Sequence, residues 1–129
     1  MDNTLEVERR QSPRYALNTD VFLVFRPEFT KLGKLMDVSG GGVAFEYAVF
    51  DHYEKVAAAE VDIFASEPDQ FMLSRVPCRV AYDVKIEKLT LGGIETRRCG
   101  LAFEQLSQTQ SELLNLLLAT YGSHSLLGK

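Results

Sequence analysis

The clearest pattern of hydrophobic and polar positions lies between residues 76 and 86. Apolar residues occupy every second position there, and mostly polar ones stand between them: Val76, Cys78, Val80, Tyr82, Val84 and Ile86 alternate with residues that include Arg79, Asp83 and Lys85. A period of two is typical of a β-strand that buries one face. We therefore predict a long strand in which Tyr82 and Val84 point to the same side as Val76.

Shorter apolar runs on either side of this segment predict further strands. They cover residues 21–25, 33–38, 43–47, 61–65 and 99–103. Turn signals follow several of them, namely Pro27, Glu67-Pro68-Asp69 and Leu91-Gly92-Gly93. The segment 48–59 fits either a helical turn or a long loop. Several short strands joined by turns predict an antiparallel barrel.

A leucine-rich segment after the last strand predicts a single helix. Ser107 and Gln110 fit a capping box at its start, and Gly122 stands just past its last turn. Five leucines between residues 113 and 118, together with Tyr121, cover roughly 200° of a helical wheel, whereas a helix packed on its own domain needs about 100°. Two interpretations stay open: the helix sinks deeply into a barrel mouth, or its excess apolar face meets a second copy in a homodimer.

Length and charge narrow the class of protein. A chain of 129 residues fits one domain that needs no disulfide or metal to hold its core. The formal net charge of −4 argues against general binding to DNA or RNA, which needs a basic face. We expect a cytoplasmic protein with no membrane span, because the sequence lacks a long apolar stretch and a secretory leader pattern.

Reactive side chains are sparse and badly spaced for catalysis. The two cysteines, Cys78 and Cys99, lie in alternating apolar runs and are expected to be buried, reduced thiols. Together with two distant histidines they offer no pattern of four ligands for a structural metal. Ser39 lacks the Gly-x-Ser-x-Gly context of a nucleophile elbow, and no catalytic triad is suggested. We expect no enzymatic activity and no cofactor.

The first candidate for ligand chemistry is a group of arginines near the start. Residues 1–14 are polar and lack periodicity, so we predict a flexible arm. Arg10 and Arg14 lie four residues apart with Arg9 adjacent, and Pro13 disfavours a helix around them. Guanidinium groups pair with phosphates and with the O6 and N7 edge of guanine. A solvated basic patch is the ordinary alternative.

The second candidate is the glycine-rich turn Asp37-Val38-Ser39-Gly40-Gly41-Gly42. A turn with so little side-chain bulk lets backbone approach a flat ring. The Asp37 carboxylate can accept hydrogen bonds from guanine N1 and N2, and the Ser39 hydroxyl can donate to a phosphate. The ordinary alternative is that both side chains only satisfy the backbone of the turn.

Taken together, the two motifs resemble the signature of the PilZ family, whose members bind the bacterial second messenger cyclic di-GMP. Arg10 and Arg14 match its arginine motif, and Asp37, Ser39 and Gly42 match its Asp-x-Ser-x-x-Gly motif. The flanking segments 34–36, 41–43 and 98–107 are similar to the family pattern as well. The resemblance extends from about Arg9 to Tyr121, and only the segment 48–59 departs from it.

This resemblance implies a six-stranded antiparallel Greek-key β-barrel with one C-terminal helix. The barrel and helix would span residues 15–122, between the arm of residues 1–14 and a tail of residues 123–129. A ligand site would lie on the outer surface of the barrel, with the arm closing over cyclic di-GMP. The expected ligand-binding residues are Arg9, Arg10, Arg14, Asp37, Ser39, Gly41 and Gly42.

The function implied is that of a sensor rather than an enzyme. Ligand binding would change the exposed surface, and a separate protein partner would read that change because no output domain is evident in the sequence. The alternative is an interaction adaptor of the same fold that binds no nucleotide and works through its helix.

Overall fold

Eight strands and one helix make up the part of the chain that the computed structural model describes, which is residues 13–26, 31–49, 59–67, 69–86 and 94–127. The strands are β1 Arg14–Leu17, β2 Phe22–Arg26, β3 Leu32–Val38, β4 Gly42–Val49, β5 Ala59–Ala65, β6 Phe71–Lys85, β7 Glu95–Phe103 and β8 Gly122–Leu127. The helix, α1, is Gln108–Tyr121.

Six of the strands close into a barrel. They are ordered β2-β5-β6-β7-β4-β3, and β3 pairs again with β2. Every neighbouring pair in this ring is antiparallel. The connection from β4 to β5 joins strands that are not neighbours, as in a Greek key. The expected six-stranded antiparallel barrel is therefore confirmed.

The core forms where the inward faces of the strands meet α1. Leu23, Phe45 and Ile63 are fully buried in the barrel, and Leu117 of the helix is fully buried against them. The predicted capping box is present, because Ser107 Oγ accepts from the Gln110 amide at 3.0 Å and Gln110 Oε1 accepts from the Ser107 amide at 2.9 Å. These contacts fix where the helix begins at the edge of the barrel.

Most of the wide apolar face of α1 is buried within the domain. Leu114, Leu117 and Tyr121 are buried, and Leu113 and Leu118 pack partly against the core. The Tyr121 hydroxyl also donates to the carbonyl of residue 69 at 2.8 Å. The exception is Leu116, which is 49% exposed.

Two strands outside the barrel differ from the expected arm and tail. Arg14, placed in the arm by its polar surroundings, is the first residue of β1, and residues 122–127 form β8 instead of a tail. The cause is the free edge at the end of β3: Tyr15 pairs with Val38, and β8 then pairs with β1. An unpaired strand edge offers backbone donors and acceptors to any segment within reach.

The alternation predicted for β6 is wrong beyond Val80. Val80 pairs with Leu101 and Tyr82 with Gly100, so Ala81 is an extra residue that forms a β-bulge. One extra residue exchanges the two faces of a strand. Tyr82 and Val84 are therefore 40% and 50% exposed, whereas Val76 is buried.

Candidate functional site

A groove of about 400 Å³ lies on the outer face of the barrel, across β3, β4, β7 and β6 and beside the start of β1. Five of the seven residues expected to bind ligand line it, namely Arg14, Asp37, Ser39, Gly41 and Gly42. The other two, Arg9 and Arg10, lie outside the described residues. The two sequence motifs thus meet at one surface feature.

Small residues in register form the floor of the groove. Ala44 pairs with Gly100, and Gly42 pairs with Ala102, across the boundary between β4 and β7. A Cβ atom on Gly42 would stand 2.1 Å from the carbonyl oxygen of Leu101. Only glycine therefore allows β4 and β7 to approach this closely, and the same lack of side chains keeps the floor open.

The turn after β3 is held by Ser39. Its amide donates to the Gly42 carbonyl at 2.9 Å, and its hydroxyl accepts from the Gly41 amide at 3.1 Å. The hydroxyl also donates to the Gly42 carbonyl at 3.3 Å. The ordinary role weighed for this serine, satisfying the backbone of its own turn, is therefore observed, and contact of Ser39 with a ligand stays a prediction.

Asp37 is a largely buried residue whose carboxylate opens onto the groove. It is 8% exposed, and its side chain has no hydrogen-bond donor among the residues that the structure describes. Burial raises the pKa of Asp37, while the nearby charges of Arg14 and Arg98 lower it by a smaller amount. The Asp37 oxygens are not among the fully buried, unpartnered side-chain atoms of the described ranges, so solvent reaches them from the groove. A ligand that displaces this solvent must donate hydrogen bonds to the carboxylate in its place.

Arg14 stands beside the same turn, since its neighbour Tyr15 pairs with Val38. Its guanidinium is exposed and forms no ion pair with any residue in the described ranges. Every other arginine in those ranges has a carboxylate within 4.0 Å: Arg26, Arg75, Arg79, Arg97 and Arg98. Arg14 is therefore the described guanidinium whose charge is left for a ligand.

The wall opposite Asp37 was not predicted. Arg79, Ala81 and Tyr82 of β6 line the groove there. The bulge at Ala81 turns Tyr82 outward, and a bulge leaves no mark in a pattern of alternating residues. The similarity of segment 98–107 to a family pattern offered one signal, since that segment contains Gly100 of the floor.

Arg98 lies at the edge of the site without lining it. Its Nη2 donates to Glu46 Oε2 at 3.1 Å, and its Nε is buried with no hydrogen-bond partner. The charge of Arg98 acts on both Asp37 and Tyr82. It therefore adds positive potential behind the groove while staying tied to Glu46.

Reactive groups lie elsewhere in the fold. Cys99 is a free, fully buried thiol, and burial is the main reason that its pKa rises to about 12. The described ranges contain no group of three or more His, Cys, Asp or Glu side chains that could hold a metal ion. Nor does any helix in those ranges have the length and apolarity needed to cross a membrane. The groove itself offers an acceptor, a cation, an aromatic ring and a small-residue floor, which suit binding a flat polar ligand.

Comparison with known families gives one match. The family model of the PilZ domain matches residues 8–119, a span that includes all seven expected ligand-binding residues. No curated protein matches the chain.

Three solved structures share the fold. The PilZ domain of YcgR from Escherichia coli, solved with c-di-GMP (cyclic di-GMP), has a TM-score of 0.64 at 16% identity, over 87% of this chain and 90% of that one. A crystal structure of YcgR from the same organism in complex with c-di-GMP gives 0.59 at 16% identity, over 87% of this chain and 45% of that one. MrkH, described as a c-di-GMP-dependent transcription regulatory factor, has a TM-score of 0.61 at 16% identity, over 86% of this chain and 50% of that one. The chain thus spans about half the length of YcgR and MrkH.

Proposed function

Because the chain belongs to the PilZ domain family, we propose that its groove binds cyclic di-GMP and that the protein is a sensor which passes this event to a protein partner. The observation that carries the proposal is that the Asp37 carboxylate and the Arg14 guanidinium line the same groove, each open to a ligand. Among the residues that the structure describes, none donates a hydrogen bond to the Asp37 carboxylate and none brings a carboxylate to Arg14. Guanine and phosphate together satisfy both.

The chemistry of guanine fits each group separately. Its N1–H and N2–H lie side by side on one edge and match the two oxygens of the Asp37 carboxylate. Its O6 and N7 accept from a guanidinium fork, and so does a phosphate, which suits Arg14. Adenine carries an acceptor at N1 in place of a donor, so it would leave Asp37 only partly satisfied. The proposal therefore includes selectivity for guanine over adenine.

The remaining expected residues act around these two. Arg9 and Arg10 come shortly before Arg14 in the sequence, and Arg14 lines the groove. We propose that they close over the ligand and bind its phosphates and guanine edges. Gly41 and Gly42 provide an open floor, and Ser39 fixes the turn and offers its oxygen to the ligand. Ordering of the arm changes the outer surface, and that change is what the partner reads.

The setting proposed for this sensor is the bacterial cytoplasm, in line with cyclic di-GMP being a bacterial second messenger. It works as a binding protein rather than an enzyme, with cyclic di-GMP as its ligand, no cofactor and no contact with DNA. A homodimer formed through α1 is part of the proposal. Its support is Leu116, which is 49% exposed on a helix whose other leucines mostly turn inward.

An adaptor that binds no nucleotide is the second candidate. The same exposed Leu116 favours it, because a helix face can contact a partner without help from the groove. The two candidates make opposite predictions for the groove. The sensor needs Asp37 and Arg14, and the adaptor does not.

Equilibrium dialysis with labelled cyclic di-GMP separates the two. The sensor predicts saturable binding that unlabelled cyclic di-GMP displaces and that a similar concentration of cyclic di-AMP does not. Equal displacement by both would contradict the assignment of Asp37 to the guanine edge. No retained label at any protein concentration would leave the adaptor as the better account.

A further inference from the structure

The groove depends on a strand that lies outside the barrel. Arg14 and Asp37 line it from neighbouring strands, because Arg14 begins β1, and β1 lies along the end of β3, where Ala16 pairs with Asp37. The six strands of the barrel close into a ring without β1. The position of Arg14 beside Asp37 is therefore decided by whatever holds β1 in place.

The strand β8 holds the end of β1 that carries Arg14. Pairing of β1 with β3 begins at Tyr15, whereas Arg14 pairs with Leu127 of β8. Within the described ranges, the strand partner of Arg14 thus belongs to β8 and not to the barrel. A backbone fixed at this point limits where the guanidinium can go, and such preorganisation lowers the entropy cost of binding a ligand.

The other end of β1 is tied to the helix. The Asn18 amide donates to the Tyr121 carbonyl at 2.8 Å, and Leu17 pairs with Gly122, which is both the C-cap of α1 and the first residue of β8. A Cβ atom on Gly122 would stand 2.6 Å from the carbonyl oxygen of Leu118, so glycine lets the chain pass directly from helix into strand. The strands β1 and β8 and the end of α1 therefore form one unit attached beside the barrel.

Within this unit β8 is the weakly held part. Its sequence, Gly-Ser-His-Ser-Leu-Leu, has none of the β-branched residues and none of the Phe, Tyr or Trp that favour strands. Its register with β1 is interrupted, because Ala16 alone stands opposite the three residues 123–125. It also ends the sheet, with β1 as its one strand neighbour in the described ranges. Such a strand can undock locally while the barrel stays closed.

We propose that β8 positions Arg14 for the ligand, and that docking of β8 on β1 and binding of cyclic di-GMP stabilise each other. This inference rests on the proposed function of the groove. When β8 undocks, the backbone of Arg14 loses its strand partner, and ordering it again takes up part of the free energy of binding. Because coupling is reciprocal, bound ligand holds β8 in place by the same free energy by which docked β8 improves the affinity.

This coupling gives the sensor a route from the groove to the helix. A ligand that holds Arg14 also tightens β8, and β8 continues directly from α1 at Gly122. The surface made by β8 and the end of α1 is therefore better ordered in the liganded protein. A protein partner that binds docked β8 favours the liganded state, and one that pulls β8 away lowers the affinity for cyclic di-GMP.

Hydrogen exchange of the wild-type protein tests the coupling without any substitution. Saturating cyclic di-GMP is expected to slow exchange of the β8 amides, residues 122–127, because local opening of β8 becomes rarer. Slowing by about 5-fold or more corresponds to the usual range of coupling between two sites. The internal control is the first turn of α1, residues 108–111, which lies at the other end of the helix and does not line the groove. Its exchange is expected to stay the same.

Two proline variants test the pairing itself. Amides of neighbouring residues in a strand point to opposite edges, so one of Leu126 and Leu127 directs its amide toward β1 and the other directs it away. Leu126→Pro and Leu127→Pro are therefore matched controls for each other, since proline removes the amide at one position or the other. In calorimetric titration with cyclic di-GMP, the variant that loses the amide facing β1 is expected to bind about 5-fold more weakly or more, and the other to bind like wild type. Melting curves near that of wild type establish that the barrel is intact in both.

The outcomes separate this inference from the proposed function. Unchanged exchange of the β8 amides in the presence of ligand, or wild-type affinity in both proline variants, would overturn the inference and leave the proposed function standing. Equal losses of affinity in the two variants would also overturn it, because they indicate damage to the segment instead of the loss of one ladder hydrogen bond. Absence of cyclic di-GMP binding by wild type would overturn the proposed function and this inference with it.

Discussion

Asp37 and Arg14 line the same groove and act on each other electrostatically, yet they form no ion pair. Asp83 and Arg97 show the other arrangement, since Arg97 Nε lies 3.2 Å from Asp83 Oδ1 and the Tyr47 hydroxyl also donates to that carboxylate at 2.9 Å. The fold thus gives the Asp83 carboxylate donors from two side chains and leaves the Asp37 carboxylate open to the groove. A polar group without a protein partner in a native structure needs an explanation, such as a bound water or ion.

We expect Asp37→Asn to stabilise the protein. No residue in the described ranges donates to this carboxylate, and burial raises the pKa of Asp37, so a neutral amide of the same shape removes a desolvation penalty. A gain of about 0.5–2 kcal/mol in the free energy of unfolding is the range that such changes commonly give. Chemical denaturation at neutral pH measures it.

Asp62 is the matched control for that substitution. Asp62 is 6% exposed, which is similar to the 8% of Asp37. Unlike Asp37, it accepts hydrogen bonds from Arg26 Nη1 at 2.7 Å and from the Arg75 amide at 2.9 Å. We expect Asp62→Asn to lower the free energy of unfolding by about 2 kcal/mol, since it weakens charge-assisted hydrogen bonds. If Asp37→Asn and Asp62→Asn change the free energy of unfolding in the same direction, Asp37 is not an open acceptor.

The pH dependence of stability is expected to reveal the same group. Burial raises the pKa of Asp37 above the ordinary value of 3.8. The folded state therefore holds this proton more tightly than the unfolded state, and ionisation of Asp37 costs stability as pH rises from 3.8 through the folded-state pKa. The stability advantage of Asp37→Asn over wild type should grow across that interval and be level above it. Urea titrations from pH 4 to pH 7 check this, and an advantage that shrinks with rising pH would contradict it.

We expect Arg14→Gln to weaken binding of cyclic di-GMP by about 10-fold or more, because charge-assisted hydrogen bonds to phosphate or guanine are lost. Stability should hardly change, since Arg14 is exposed and has no ion pair in the described ranges. Arg75→Gln is the control, as it removes a guanidinium that is 65% exposed and lies outside the groove. Equal losses of affinity in both variants would indicate general electrostatic attraction instead of a site.

The homodimer is tested at Leu116, which is 49% exposed. If α1 forms the interface, Leu116→Glu should halve the mass measured by light scattering while melting stays near that of wild type. Leu117 is fully buried and is a poor probe, because a charge there would damage the core. A mass that is the same in wild type and Leu116→Glu would remove the dimer from the account.

The local elements could be predicted from the sequence because their signals are local. Ser107 and Gln110 lie three residues apart and determine where α1 begins. Alternating residues and short apolar runs identified six strands, and the two motifs identified five residues that line one groove. Each of these rests on neighbours in the chain or on a recognisable family pattern.

The features that escaped prediction are set by distant strands. Tyr82 faces the groove because one residue of β6 has no partner on β7, and that register is decided by pairing across the barrel. The strand β8 exists because β1 leaves an edge free beside it, although its own sequence is short and largely polar. Arg79 and Gly100 likewise acquire their positions from the sheet and carry no local mark.

Calorimetric titration of wild type and Asp37→Asn with cyclic di-GMP at neutral pH is the most direct test of the proposed role for the open carboxylate. The account predicts saturable binding by wild type and binding about 10-fold weaker or more in Asp37→Asn, in a variant that melts no lower than wild type. No heat of binding in wild type, or equal affinity in the two proteins, would contradict it.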